Sequence, residues 1–124
     1  MTGGLTITTV NLSAPDPLVL ATFYERLLGW QITVAEPSWV LIRDPDGGVS
    51  LAFQKEEHYA QPIWPARPDE QQMMIHLEIR VDDLDAAVAR ATACGATLAE
   101  YQPQKDVRVC LDPAGHPFCL WLGR

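Results

Sequence analysis

The chain has 124 residues, 48 % of them hydrophobic and 20 % charged, and a net charge of −7. This composition excludes a disordered chain and suits one folded domain with its own core. The acidic balance, with no run of Lys or Arg, argues against nucleic acid and anionic membrane as partners. No stretch is long and apolar enough to span a bilayer.

Residues 5–13 alternate around Ile7, Val10 and Leu12 and predict a strand. Asp16-Pro17 then supplies a capping carboxylate and a proline at the first helical position. Leu20, Phe23, Tyr24, Leu27 and Leu28 recur at helical spacing, and Gly29 stands where a left-handed cap ends a helix. Strands are predicted at 30–35, 38–43 and 48–54, the last two joined by the turn sequence Asp44-Pro45-Asp46-Gly47. Residues 55–72 form a long connection containing Tyr59 and Trp64, and a long ordered loop is often functional. Residues 73–81 predict the next strand. Asp82 or Asp83 caps a helix with the stripe Leu84, Ala87, Val88 and Ala91, closed by Gly95. Strands at 96–101, 107–111 and 117–122 follow, with Asp112-Pro113-Ala114-Gly115 as the turn.

The two series are copies. Asp44 and Asp112 lie 68 positions apart, Asp16 and Asp83 67, Gly29 and Gly95 66. Such a repeat means two copies of one supersecondary unit packed together. The predicted fold is α+β: two tandem β-α-β-β-β units in a single domain over 1–124, unit one about 5–54 and unit two about 73–122. Function is expected where the copies face each other. Cys94, Cys110 and Cys119 are odd in number and lack C-x-x-C spacing, which predicts reduced thiols. Met1-Thr2-Gly3-Gly4 has neither the charged nor the apolar region of a signal peptide, so a cytoplasmic location is expected.

Phe23-Tyr24-Glu25-Arg26-Leu27-Leu28-Gly29, Val81-Asp82-Asp83-Leu84-Asp85-Ala86-Ala87 and Asp112-Pro113-Ala114-Gly115-His116-Pro117-Phe118-Cys119-Leu120 resemble the vicinal oxygen chelate superfamily. Its members include glyoxalase I, extradiol dioxygenases and bleomycin-resistance proteins. The chain is most similar to small bacterial glyoxalase-like domain proteins, which share the Trp64-Pro65 and Gln71-Gln72-Met73-Met74-Ile75-His76 stretches. The resemblance covers nearly the whole chain. It implies two half-barrels forming a cup, a partly closed mixed sheet with helices outside. It also implies frequent pairing, so a homodimer is expected. The motifs specify the fold, and the fold hosts several chemistries as well as binders without chemistry.

The resemblance further implies a divalent metal on the cup floor in catalytic members, held by the first and last strand of each unit. Those ligands are normally His or Gln, then Glu. Counting seven residues before each capping aspartate gives Thr9 and His76; counting seven beyond each turn aspartate gives Leu51 and Cys119. Ser50 or Ala52 replaces Leu51 if the register slips by one. Thr and Leu are not useful ligands, so no cofactor and no superfamily-type metal is expected. A metal held here at all would use His76 and Cys119, joined by Glu78 or His116.

Strand alternation predicts what faces the cup. His76, Glu78 and Arg80 share one face, as do Thr9 and Asn11, with Cys119 and Trp121 on the last strand of unit two and Leu51 and Phe53 on that of unit one. Trp64 either lids this lining or anchors its loop. A largely apolar cavity with a few convergent polar groups suits a small molecule. The plainer readings are a His76 that bonds Glu78 or a backbone carbonyl, a Glu78–Arg80 ion pair, and a Cys119 that is simply a small buried hydrophobe. Two functions follow from the lining. One is a small-molecule binding protein without the full metal site. The other is a metal-dependent lyase, isomerase or dioxygenase acting on a small oxygenated substrate, with His76 and Glu78 as acid and base.

Overall fold

In the computed structural model, strand β1 (Thr9–Ala14) leads into helix α1 (Pro17–Leu28). The structure describes residues 4–123; the reading of Met1-Thr2-Gly3 falls outside them. Leu18 and Val19 donate their backbone N–H groups to the Asp16 carboxylate, and Pro17 opens the helix. Gly29 closes it at φ 73°, a conformation that costs glycine little, with its N–H on the Glu25 carbonyl. Strands β2 (Gln31–Glu36), β3 (Trp39–Arg43) and β4 (Ser50–Lys55) complete unit one. The sheet order is β1-β4-β3-β2, with β1 and β4 parallel and the rest antiparallel.

Unit two repeats this with β5 (Glu78–Val81), α2 (Leu84–Cys94), β6 (Thr97–Leu98), β7 (Val107–Leu111) and β8 (Pro117–Leu122), in the order β5-β8-β7-β6. Ala86 donates to Asp83, so Asp83 is the cap of α2. The chain divides between Tyr59 and Ala60 into two compact units. Each carries a four-stranded, mixed, open sheet with a helix on one face. Among the described residues, no helix is long and apolar enough to cross a membrane.

Three strands, β1, β5 and β6, are shorter than the sequence predicts by more than the single residue lost from β3 and β4. The first was expected from residue 5, yet Leu5 and Ile7 are 84 % and 78 % exposed. β4 begins at Ser50, opposite Thr9, so its ladder offers residues 5–8 little to pair with. The fifth was expected over 73–81 and starts at Glu78. Glu78 pairs with Cys119, and extending that parallel register sets His76 level with Pro117, which has no N–H to give. β6 stops at Leu98 rather than 101 because a side chain takes over the edge of β7. Gln102 accepts the Val109 N–H at 2.8 Å and donates to the Val109 and Ala99 carbonyls at 2.9 and 2.8 Å.

The core of unit one lies between sheet and α1. Leu20, Phe23, Tyr24 and Leu27 are buried on the helix. The Tyr24 ring stacks on Phe53, with centroids 5.7 Å apart and planes at 10°. Phe53 therefore faces the helix, and so does Leu51, two residues earlier on β4. This corrects the expectation that both line the open face. The hairpin loop before β4 has six residues, 44–49, whereas that before β8 has five, 112–116. Counting from the turn aspartate is thus one residue short in unit one, and a one-residue slip turns every side chain to the other face. The position matching Cys119 is Ala52, paired with Asn11 as Cys119 is paired with Glu78.

Candidate functional site

Alternation and register assign the open face of each sheet, opposite its helix. In unit one it carries Thr9, Asn11, Leu41, Ala52 and Gln54, with Trp39 beside Gln54. Asn11 donates its side-chain amide to Gln54 at 3.2 Å. This face is polar at the β1–β4 edge and holds no ionisable group among those residues.

The open face of unit two is chemically richer. The His76 Nδ1 lies 2.6 Å from a carboxylate oxygen of Glu78 and 3.7 Å from the Cys119 Sγ. One donor atom from each of the three falls within 4.8 Å of the others. His76 sits just before β5, freed from the ladder, and so can turn its ring toward Glu78 two residues on. The imidazole and carboxylate are 38 % and 49 % exposed, whereas Cys119 is buried beneath them. The predicted Glu78–Arg80 pairing is not what forms: the carboxylate partners His76. Arg80 is exposed, and its stem lies across Gly123, where an added Cβ would come within 2.6 Å of it.

Cys119 belongs to a buried cluster with Ala99 and Val109, against which Val107 and Trp64 pack. Trp121 is opposite Val107 on one side and Arg80 on the other. Trp64 donates its indole N–H to the Tyr101 carbonyl at 3.2 Å, and its ring is tilted against Tyr101 with centroids 5.9 Å apart. It anchors the connecting segment onto unit two. A recess of about 330 Å³ adjoins it, lined by Pro65, Leu98, Tyr101 and Leu111 among others. Sequence reasoning missed Ala99 and Gln102, because a strand as short as β6 leaves almost no alternation to read; it also missed Val109, which the β7–β8 register sets opposite Cys119.

The Cys119 thiol is pushed up to about 11, first by burial and then by the negative charge and hydrogen bond of Glu78. It is protonated near neutrality and is a poor nucleophile. The superfamily's four metal positions read Thr9, Ala52, His76 and Cys119. Unit one contributes a hydroxyl and a methyl, so the four-ligand set does not fit this chain.

Residues 9–121 match the family model described as Glyoxalase-like domain. No curated protein matches the sequence. Among solved structures, a glyoxalase/bleomycin resistance protein/dioxygenase family enzyme from Burkholderia phytofirmans PsJN is similar with a TM-score of 0.73 and 21 % identity, covering 95 % of this chain and 98 % of that one. TnmS3, an antibiotic binding protein from Streptomyces sp. CB03234, has a TM-score of 0.64 and 18 % identity over 100 % of both chains. A lactoylglutathione lyase from Agrobacterium tumefaciens has a TM-score of 0.62 and 16 % identity, covering 98 % of this chain and 96 % of that one. At these identities the likeness is one of fold.

Proposed function

The chain belongs to the glyoxalase-like domain family of the vicinal oxygen chelate superfamily, and from that premise we propose that it is a small-molecule binding protein without the superfamily's four-ligand metal centre. The observation that carries this reading is the mixed open face of unit two. Trp121, Val107 and Trp64, the last two packed over the buried Val109, offer apolar area beside the polar group of His76, Glu78 and Arg80. Thr9 and Asn11 are proposed as the polar contacts on the open face of unit one. An apolar or aromatic compound is the proposed ligand class, in keeping with an antibiotic binding protein among the structural neighbours.

Titrating metal-free protein with a broad aromatic library, read by tryptophan fluorescence, tests the proposal. Saturable quenching weakened by Trp121→Ala is the expected result. No response across the library would sink it.

The 2.6 Å contact between His76 and Glu78 favours a second reading, an enzyme using the two as acid and base. Unchanged turnover of a substrate in His76→Ala would remove that reading. A homodimer in a reducing compartment completes the proposal; the three free cysteines suit the compartment, and sedimentation at micromolar concentration tests the pairing.

A further inference from the structure

From the donors converging on unit two, we infer that His76, Glu78 and Cys119 form a three-donor site for a zinc-class divalent ion, leaving the fourth tetrahedral position to an exogenous ligand. This differs from the superfamily's set in its ligands and in lying wholly on one unit.

The donor chemistry sets the ion class. Thiolate, imidazole and one carboxylate oxygen suit borderline, tetrahedrally inclined ions such as zinc, whereas hard octahedral ions favour oxygen shells. The geometry is close to what such an ion needs. Metal–ligand lengths near 2.0–2.3 Å set tetrahedral separations of about 3.6 Å between sulfur and nitrogen and about 3.4 Å between nitrogen and oxygen. The sulfur–nitrogen distance is 3.7 Å. The nitrogen–oxygen distance is 2.6 Å, a hydrogen bond that must open for the half-exposed Glu78 carboxylate to reach the ion.

Charge and protons balance simply. The ion displaces the Cys119 thiol proton to solvent and takes the His76 Nδ1 lone pair, with the ring proton on Nε2. The buried sulfur fixes the inner side of the site. The two exposed donors leave its outer side open, so the fourth position faces solvent and accepts water or a small donor molecule.

The test titrates zinc into tag-free, metal-free full-length protein by calorimetry, with elemental analysis for stoichiometry. Cobalt serves as the spectroscopic probe, because a thiolate ligand gives a near-ultraviolet charge-transfer band. One ion per chain is expected, with the cobalt band lost in Cys119→Ser. Zinc affinity should fall in His76→Ala and in Glu78→Gln by at least the roughly tenfold to hundredfold that losing a mere outer partner of a ligand costs. Substoichiometric uptake, absence of the band, or unchanged affinity in Cys119→Ser would overturn the assignment. Should Cys119→Ser fail to fold, Glu78→Gln decides, since its side chain is exposed and unchanged affinity there excludes the third donor. Ligand quenching in metal-free protein is a separate readout, so failure here leaves the binding-protein reading standing, and the reverse.

Discussion

Both backbone polar groups of Val109 are met by one side chain: Gln102 accepts the Val109 N–H at 2.8 Å and donates to its carbonyl at 2.9 Å. The amide replaces a neighbouring strand where β6 has ended. It thereby holds β7 in place beside Cys119, which Val109 faces across the ladder. Gln102→Ala leaves the Val109 N–H without its acceptor, while the carbonyl keeps the Ala99 N–H at 3.0 Å, and should cost about 1–3 kcal/mol, read as a lower urea midpoint. Gln102→Glu removes the donor and keeps the acceptor, so it should fall between the two. Equal midpoints for all three would mean that the amide adds nothing to the edge.

The face assignment in unit one is testable by a neighbouring pair. Phe53 is buried under α1 against Tyr24. Phe53→Ala should destabilise by about 3–5 kcal/mol through the cavity it leaves. Gln54, exposed on the opposite face, should tolerate Ala within about 0.5 kcal/mol. Chemical denaturation of both variants checks the contrast, and a reversed order would place Phe53 on the open face after all.

Thiol chemistry should follow the raised thiols. Cys110 and Cys119 are both pushed up to about 11, Cys110 by burial and Cys119 by burial and then Glu78. Iodoacetamide at pH 7.5 should label Cys94 well before either, as read by peptide mass spectrometry. Fast labelling of Cys119 at that pH would contradict the protonated, buried thiol.

The same two thiols make stability fall in alkali. An unfolded thiol ionises near 9.0 and these folded ones near 11. Between those values the unfolded chain gives up its protons first, which favours unfolding. The stabilisation is complete below pH 9 and is lost as pH rises toward 11. Cys110→Ala should flatten that part of the curve, and a melting series from pH 7 to 11 measures it. An identical slope in the variant would count against the assignment.

The caps, the helical stripe of α1 and the two turns were legible because each rests on local chemistry that a short stretch writes out in full. Asp16-Pro17 and Gly29 behave as their residue types require. His76, Glu78 and Cys119 could be set on one face by alternation alone. What alternation cannot supply is register across a loop of unknown length, and Leu51 and Phe53 were misplaced for that reason. Nor could it supply the start of β5, which depends on the missing N–H of Pro117 in another strand. Gln102 was invisible because a side chain standing in for a strand leaves no periodic trace.

The extra residue in the first hairpin loop has a practical meaning for anyone transplanting chemistry from one half of the chain to the other. A designer who aligns the halves on their Asp-Pro-x-Gly turns would graft a carboxylate at Leu51 and drive an uncompensated charge under α1 beside Phe53. Aligned on the paired strands, the graft belongs at Ala52, with its partner at Thr9. The two units thus share a plan in shifted register, and the ladder, not the motif, is the ruler by which they should be compared.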